Sequence, residues 1–144
     1  MKEARITIAE FDEILRSSLP LAVAWGMETV EIGAGHAIMR IPYDEGFLRP
    51  GGTIGGPIQM GLADVAMYAA VLGAIGPEPL AVTSSLSVNF LSKPAPAALR
   101  AEARILRLGK RLAVGEVELF SDGVEAMVAH IVATYALPRG RTDP

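Results

Sequence analysis

The chain has no cysteine and only two histidines among its 144 residues. The lack of cysteine excludes disulfide scaffolds, thiolate metal sites and cysteine nucleophiles. Two histidines are too few for a histidine-rich metal site. Neither His36 nor His130 has an acidic neighbour at a spacing that indicates a catalytic pair. We therefore predict no metal ion and no cofactor, and we interpret both histidines as structural.

A strong excess of one charge is also missing. Lysines and arginines number 13 against 16 aspartates and glutamates, which gives a net charge of −3. A mildly acidic domain lacks the basic field that nucleic-acid binding needs, so we predict no nucleic-acid partner. With 51% hydrophobic residues, the chain has the apolar content of a folded protein, and its length predicts a single domain over residues 1–144.

A signal or membrane segment needs a long uninterrupted apolar run. The charged start of the chain has none. The most apolar window, residues 58–75, contains three polar side chains, namely Gln59, Asp64 and Tyr68. An aspartate near the centre of a spanning helix costs about 2.5–3.5 kcal/mol. We therefore predict no membrane partner, expect a cytoplasmic protein and interpret this window as a buried helix.

Local patterns predict two helices separated and followed by strands. Thr7 and Glu10 fit a capping box that begins a helical N-terminal segment over residues 7–19. A longer central helix at about 57–73 begins with a proline and is apolar on nearly every side, so protein must surround it. Two strand patterns precede this helix and four follow it, and the last three are joined by short turns typical of antiparallel strands.

One long apolar helix among antiparallel strands indicates an α+β fold, in which a curved antiparallel sheet wraps around the helix. Such a small sheet leaves an exposed edge strand, and pairing two edges across a two-fold axis would cover it, so we expect at least a dimer. A slip in the alternation at Leu106 indicates a bulge. Asp122-Gly123 predicts a two-residue hairpin, and residues 139–144 form a polar tail.

Asp64 is the first candidate functional residue, because a carboxylate in an apolar helix is costly unless it faces a partner, water or a ligand. Tyr68 lies on the same helix face, one turn later. The glycine-rich loop 49–57 leads into this helix, and the N–H of Gly56 is its natural anion donor because Pro57 has no N–H. Since Gly56 and Asp64 are about 12 Å apart along the helix, another subunit or strand must complete a pocket that uses both.

Two further groups of side chains could act on a ligand. Hydroxyls at 83–85 can hold a water or orient a carboxylate, and basic residues at strand ends and turns can contact phosphates. Plain structural interpretations remain open throughout: a paired aspartate, a glycine-rich turn, ordinary strand hydroxyls and a solvated basic face. The basic residues are Lys93, Arg107, Lys110 and Arg111.

Taken together, these motifs make the sequence resemble the hotdog-fold thioesterases, in particular the PaaI-like acyl-CoA thioesterase family. The resemblance extends from about residue 25 to residue 138. Its most specific part is the glycine-rich segment 51–56, followed by Leu62-Ala63-Asp64 on the helix. The next most specific parts are segments 89–95 and 109–111.

The resemblance implies an antiparallel sheet around the central helix and subunits joined edge to edge, as a dimer or tetramer, with active sites at the dimer interface. The implied activity is hydrolysis of an acyl-CoA thioester. Asp64 corresponds to the family's general base or nucleophile, Gly56 to its backbone oxyanion donor, and Thr83 to a hydroxyl that positions the water or the carboxylate. The implied substrate-binding residues are Arg49, Gly55, Gln59, Tyr68, Asn89, Phe90, Lys93, Lys110 and Arg111.

The sequence departs from this family at three positions. Many members carry Asn where this chain has Arg49, and His-Gly-Gly where it has Gly55-Gly56-Pro57. Arg49 or Gln59 could replace the missing polar groups. Because of these departures, a non-catalytic module that binds acyl-CoA or another hydrophobic acyl ligand remains an alternative. A hotdog hydratase is disfavoured, because it needs an Asp–His pair in the pocket loop and both histidines lie outside that loop.

Overall fold

The structure is a computed structural model that describes residues 3–140. The helices in this range are α1 (Ile8–Ser18), α2 (Pro20–Ala24) and α3 (Gly56–Ile75). The main sheet contains β1 (Glu28–Gly33), β2 (His36–Ile41), β5 (Val82–Phe90), β6 (Leu99–Leu108), β7 (Leu112–Ser121) and β8 (Met127–Ala136). A small separate hairpin is formed by β3 (Leu48–Arg49) and β4 (Thr53–Ile54).

The N-terminal helix begins at the capping box that the sequence predicts. The Thr7 hydroxyl accepts a hydrogen bond from the Glu10 N–H at 3.1 Å, and the Glu10 carboxylate accepts one from the Thr7 N–H at 2.9 Å. Phe11 and Leu15 bury the apolar stripe of this helix. Pro20 then begins the short helix α2, because its fixed φ and missing N–H suit a first helical position.

The main sheet is antiparallel throughout, with the strand order β1-β2-β6-β7-β8-β5. Helix α3 packs against all six of its strands. This confirms the predicted α+β class with an antiparallel sheet around one central helix. By length and composition α3 could cross a membrane, but 78% of its apolar window is buried inside the protein, as expected of a core helix.

Glycines allow the helix and the sheet to approach closely. A Cβ at Gly73 of α3 would overlap the carbonyl oxygen of Gly33 at the end of β1. A Cβ at Gly115 of β7 would lie 2.7 Å from the Met67 sulfur, closer than side chains pack. Close packing therefore fixes α3 against the sheet at its middle and at its C-terminal end.

The bulge predicted near Leu106 is confirmed by a register shift between Ile105 and Arg107. Asp122 and Gly123 lie at the centre of a turn, which the Val124 N–H closes by donating to the Ser121 carbonyl at 3.1 Å. The prediction of a two-residue hairpin is nevertheless wrong, because β7 ends at Ser121 and β8 begins only at Met127. Two further hydrogen bonds hold this longer loop: the Asp122 N–H donates to the Ala98 carbonyl, and the Asp122 carboxylate accepts from Arg40.

Helix α3 is also longer than the predicted 57–73. It continues to Ile75 and ends before Gly76, whose φ of 94° few other residues adopt. Gly73 is packed inside the fold and does not mark a helix end. The loop before α3 contains the β3–β4 hairpin. Of the predicted polar tail, residues 141–144 lie outside the described residues.

Candidate active site

Asp64, near the middle of α3, is held through one of its two carboxylate oxygens. Its Oδ1 accepts hydrogen bonds from the Thr83 hydroxyl at 2.6 Å and from the Tyr135 hydroxyl at 2.7 Å. The Tyr135 hydroxyl also lies 2.8 Å from the Asp64 carbonyl oxygen. Within residues 3–140, no group hydrogen-bonds to Oδ2. One oxygen is therefore anchored and the other is available to a ligand or a water.

The two hydroxyls converge because of the register between β5 and β8. Thr83 pairs directly with Tyr135, and the next paired residues are Ser85 and Thr134, so Ser84 is an extra residue in β5. Directly paired residues on adjacent strands point to the same face of a sheet. The register thus directs both hydroxyls toward α3.

Burial and charge keep Tyr135 protonated. Burial raises the pKa of its hydroxyl, and the nearby Asp64 carboxylate raises that pKa further, so the group acts as a donor. Sequence reasoning missed Tyr135. The alternation in the last strand could have placed it on the inner face, but its partner Asp64 lies 71 residues away in the chain.

Tyr68 was predicted to contact substrate, and the structure shows it packed in the core. Its ring stacks on Tyr135 with centroids 6.0 Å apart, and its hydroxyl donates to the Pro79 carbonyl at 2.9 Å. Burial raises the pKa of this hydroxyl as well. Tyr68 therefore supports the residue that holds Asp64.

The N-terminus of α3 presents a free backbone donor. Gly55 caps the helix with extended backbone and donates its own N–H to the Phe47 carbonyl at 2.9 Å. The N–H of Gly56 has no acceptor in the described part of the chain. Pro57 has no N–H to contribute. Gly56 therefore has the free N–H that the sequence predicts at this end of the helix, and its use as an anion donor stays a prediction.

A cavity of about 430 Å³ lies beside this helix end. It brings together five of the predicted site residues. Its walls are formed by Arg49, Thr53, Ile54, Gly56, Gln59, Phe90, Leu91, Ser92, Lys93 and Pro94.

Phe90 covers the first residue of the helix. A Cβ added at Gly56 would lie 3.2 Å from the tip of the Phe90 ring, so only glycine leaves this approach open without moving the ring. Phe90 is itself 54% exposed. Arg49 and Lys93 are also exposed and place positive charge at the rim of the cavity.

Gln59 forms a buried polar part of the cavity wall. Only 4% of the residue is exposed. Its Nε2 donates to the Ile54 carbonyl at 3.1 Å, whereas its Oε1 is buried and has no hydrogen-bond partner among the described residues.

The remaining predicted residues lie elsewhere. Asn89 is exposed on β5, opposite His130, and Lys110 and Arg111 lie in the turn between β6 and β7. Asp64 does not line the cavity. A single subunit therefore holds two separate clusters, one at Asp64 and one at Gly56. Among residues 3–140, no three His, Cys, Asp or Glu side chains lie close enough to hold a metal ion.

Comparison with known proteins agrees with this architecture. A family model described as the thioesterase superfamily matches residues 51–128. A crystal structure from Silicibacter sp. TM1040, assigned as a thioesterase, is similar with a TM-score of 0.85 and 39% identity, and covers 95% of each chain.

Two further similarities have lower identity. A mutant of the phenylacetic acid degradation protein PaaI from Thermus thermophilus has a TM-score of 0.74 and 26% identity, covering 83% of this chain and 99% of its own. An esterase-named protein of Saccharolobus solfataricus is 27% identical, over 94% of this chain and 96% of its own length.

Proposed function

Because the chain belongs to the thioesterase superfamily, we propose that it hydrolyses an acyl-CoA thioester to a free acid and CoA. The family and its esterase-named relatives support hydrolysis of thioesters in general. One observation carries the more specific proposal. The Asp64 carboxylate is fixed by two hydroxyls through Oδ1, while Oδ2 accepts no hydrogen bond from residues 3–140, which is the arrangement a general base or nucleophile needs.

The proposed reaction can follow one of two routes, which differ in what Asp64 does. As a general base, Asp64 Oδ2 takes a proton from a water whose oxygen attacks the thioester carbon. As a nucleophile, Oδ2 attacks that carbon itself, and water then hydrolyses the acyl anhydride. In both routes the carbonyl oxygen becomes negative and accepts a hydrogen bond from the Gly56 N–H. The C–S bond breaks, and the CoA sulfur leaves as a thiolate that takes up a proton.

Both residues can serve one substrate if two subunits pair along β5. This strand is at the edge of the sheet, with Thr83 beside Asp64 near its start and Phe90 beside Gly56 at its end. Antiparallel pairing of two β5 strands across a two-fold axis would place the start of one strand beside the end of the other. The Asp64 of one subunit would then face the Gly56 of its partner.

The same pairing would gather positive charge for the CoA phosphates. Leu112 and Val82 both pair with Ala136, so the turn that carries Lys110 and Arg111 lies at the Thr83 end of β5. Arg49 and Lys93 lie at the opposite end, beside Gly56. Across the proposed two-fold axis these two cationic pairs approach one another, as recognition of several phosphates requires. The proposed cytoplasmic location is where CoA thioesters would be encountered.

A binding module without turnover is the second candidate function. The observation that favours it is the bare backbone at Gly55, where no side chain assists the Gly56 donor, together with an exposed Arg49. The same cavity and cations would then hold acyl-CoA without hydrolysing it.

The first experiment measures the release of free CoA thiol from short, long and aryl acyl-CoAs. We expect turnover by the wild-type protein and a drop of about a hundredfold or more in Asp64→Asn, because the variant keeps the shape and loses the base. Asp122→Asn, which alters an exposed carboxylate paired with Arg40, is the matched control and should retain activity. Binding of acyl-CoA with no turnover of any substrate would contradict the enzyme and support the binding module.

The second experiment mixes two inactive subunits. Asp64→Asn removes the carboxylate, and Gly56→Leu fills the cavity and displaces Phe90. If each site uses residues of both subunits, a mixed dimer keeps one intact site, so an equal mixture recovers about a quarter of wild-type activity. No recovery after verified subunit exchange would contradict a shared site.

A further inference from the structure

Gln59 has a buried polar atom that the fold leaves unsatisfied. Among the described residues, its Oε1 is the buried side-chain oxygen or nitrogen without a hydrogen-bond partner. An unpaired buried acceptor lowers stability, and an apolar residue of similar size would avoid that cost. The hydrogen bond to the Ile54 carbonyl uses the amide nitrogen of Gln59, but no bond among the described residues uses its oxygen.

The hydrogen bond between the Gln59 side-chain amide and Ile54 determines the orientation of the amide. The Ile54 carbonyl can only accept a hydrogen bond, so the Gln59 atom facing it at 3.1 Å must be the nitrogen. The free atom is consequently an acceptor. A thioester oxygen, a carboxylate or a phosphate cannot satisfy it, whereas an O–H or N–H can.

Gln59 lies close to the place where the reacting carbonyl of a substrate would bind. It follows Gly56 by three residues, which places both on one face of α3, about 5–6 Å apart, and both line the same cavity. A thioester carbonyl bound at the Gly56 N–H would therefore bring atoms a few bonds away next to Gln59.

We propose that Gln59 Oε1 binds a hydrogen-bond donor of the thioester substrate, located a few bonds from the reacting carbonyl. The inference rests on the proposed function. Two parts of an acyl-CoA could supply such a donor: a hydroxyl on the acyl group, or the first amide N–H of the pantetheine arm. A bond to the acyl hydroxyl would make Gln59 a determinant of acyl-group specificity, and a bond to the amide would make it a determinant of binding to pantetheine thioesters as a class.

The test uses binding, so that it does not require turnover. The Asp64→Asn protein is compared with Asp64→Asn/Gln59→Leu. One ligand pair is 3-hydroxybutyryl-CoA and butyryl-CoA. The other pair is the butyryl thioester of N-acetylcysteamine and its analogue in which an ester oxygen replaces the amide N–H. Dissociation constants are measured by calorimetry or by competition.

We expect the donor-bearing member of one pair to bind about tenfold or more tightly than its donor-free counterpart, and Gln59→Leu to abolish that ratio. If Gln59→Leu abolishes the affinity ratio only in the hydroxyl pair, the donor lies on the acyl group. If it abolishes the ratio only in the amide pair, the donor lies on the pantetheine arm. Unchanged ratios in both pairs overturn the proposal and leave water as the partner of Oε1.

Two controls separate this result from other failures. Thr29→Val removes a half-buried hydrogen bond to Asp12, remote from the cavity, and should leave both ratios unchanged. Gln59→Leu itself should shift Tm by only about 2 °C, because the lost bond to Ile54 is offset by removal of the unpaired oxygen. Turnover by the wild-type protein is measured separately, so binding ratios that depend on Gln59 without any turnover would contradict the proposed function alone.

Discussion

The two ends of α3 differ in how completely they are satisfied. At the C-terminal end, residues 69–75 are all apolar or glycine, and Gly73 packs directly against the backbone of β1. At the N-terminal end, the Gly56 N–H and the Gln59 Oε1 lack partners among the described residues, and both residues line a cavity. In the proposed function, one helix thus contributes stability where its contacts are complete and binds substrate where they are not.

The largest expected difference comes from the same substitution at both ends. Gly73→Ala forces a methyl group into the Gly33 carbonyl, so it should lower the free energy of unfolding by about 3 kcal/mol. In Gly56→Ala the nearest atoms to the new methyl group belong to the exposed Phe90 ring, which can move, so stability should change by less than about 1 kcal/mol. Urea denaturation of both variants measures the difference.

A binding measurement complements the stability measurements on Gly73→Ala and Gly56→Ala. Gly56→Ala should weaken acyl-CoA binding despite its small effect on stability, because the displaced ring narrows the cavity. Equal stability losses at the two ends would contradict the contrast between a packed end and an open end.

A smaller effect is expected between the two ends, at Asp64. Tyr135→Phe removes one of the two donors to Oδ1, so kcat should fall about tenfold with KM nearly unchanged. Tyr68→Phe is the matched variant, because it loses only the bond to the Pro79 carbonyl. It should affect stability more than kcat. A fall in kcat as large in Tyr68→Phe as in Tyr135→Phe would show that packing, and not the bond to Asp64, is what matters.

The smallest effect concerns alkaline stability. The pKa of Tyr135 is raised by burial and by the Asp64 carboxylate, above the value of about 10 expected in the unfolded chain. Below about pH 10 this tyrosine is protonated in both the folded and the unfolded protein, and its full contribution to the free energy of unfolding is present. Above that pH the unfolded state ionises first, so the free energy of unfolding should fall by about 1.4 kcal/mol per pH unit for this tyrosine. Tyr135→Phe should show a shallower slope between about pH 10 and 11, and an unchanged slope would contradict this.

Much of this helix could be predicted from sequence. An apolar run after a proline, with one carboxylate inside it, identifies a surrounded helix and its candidate residue, and these depend only on local spacing. The capping box at Thr7 is similarly local and is confirmed. The free Gly56 donor follows from the absence of an N–H in Pro57.

What could not be predicted depends on contacts between distant parts of the chain. Tyr135 meets Asp64 only because β5 and β8 pair in a particular register, with an extra residue at Ser84. The loop at Asp122 contacts Arg40 of another strand, and no local motif indicates that contact. The separation of Gly56 and Asp64 along α3 follows from helical spacing and could be predicted, but their positions beside Phe90 and Thr83 of β5 require the three-dimensional arrangement of that strand.

The strand order also has a consequence for how the protein folds. Strands β6, β7 and β8 are neighbours both in the chain and in the sheet, so they can form early as a local meander. Strand β5 pairs with β8, from which β6 and β7 separate it in the chain, and β2 pairs with β6 although α3 and β5 lie between them in the chain. Because Thr83 lies on β5 and Tyr135 on β8, we expect the anchoring of Asp64 to be among the last events of folding, so that slow refolding kinetics and late recovery of activity coincide.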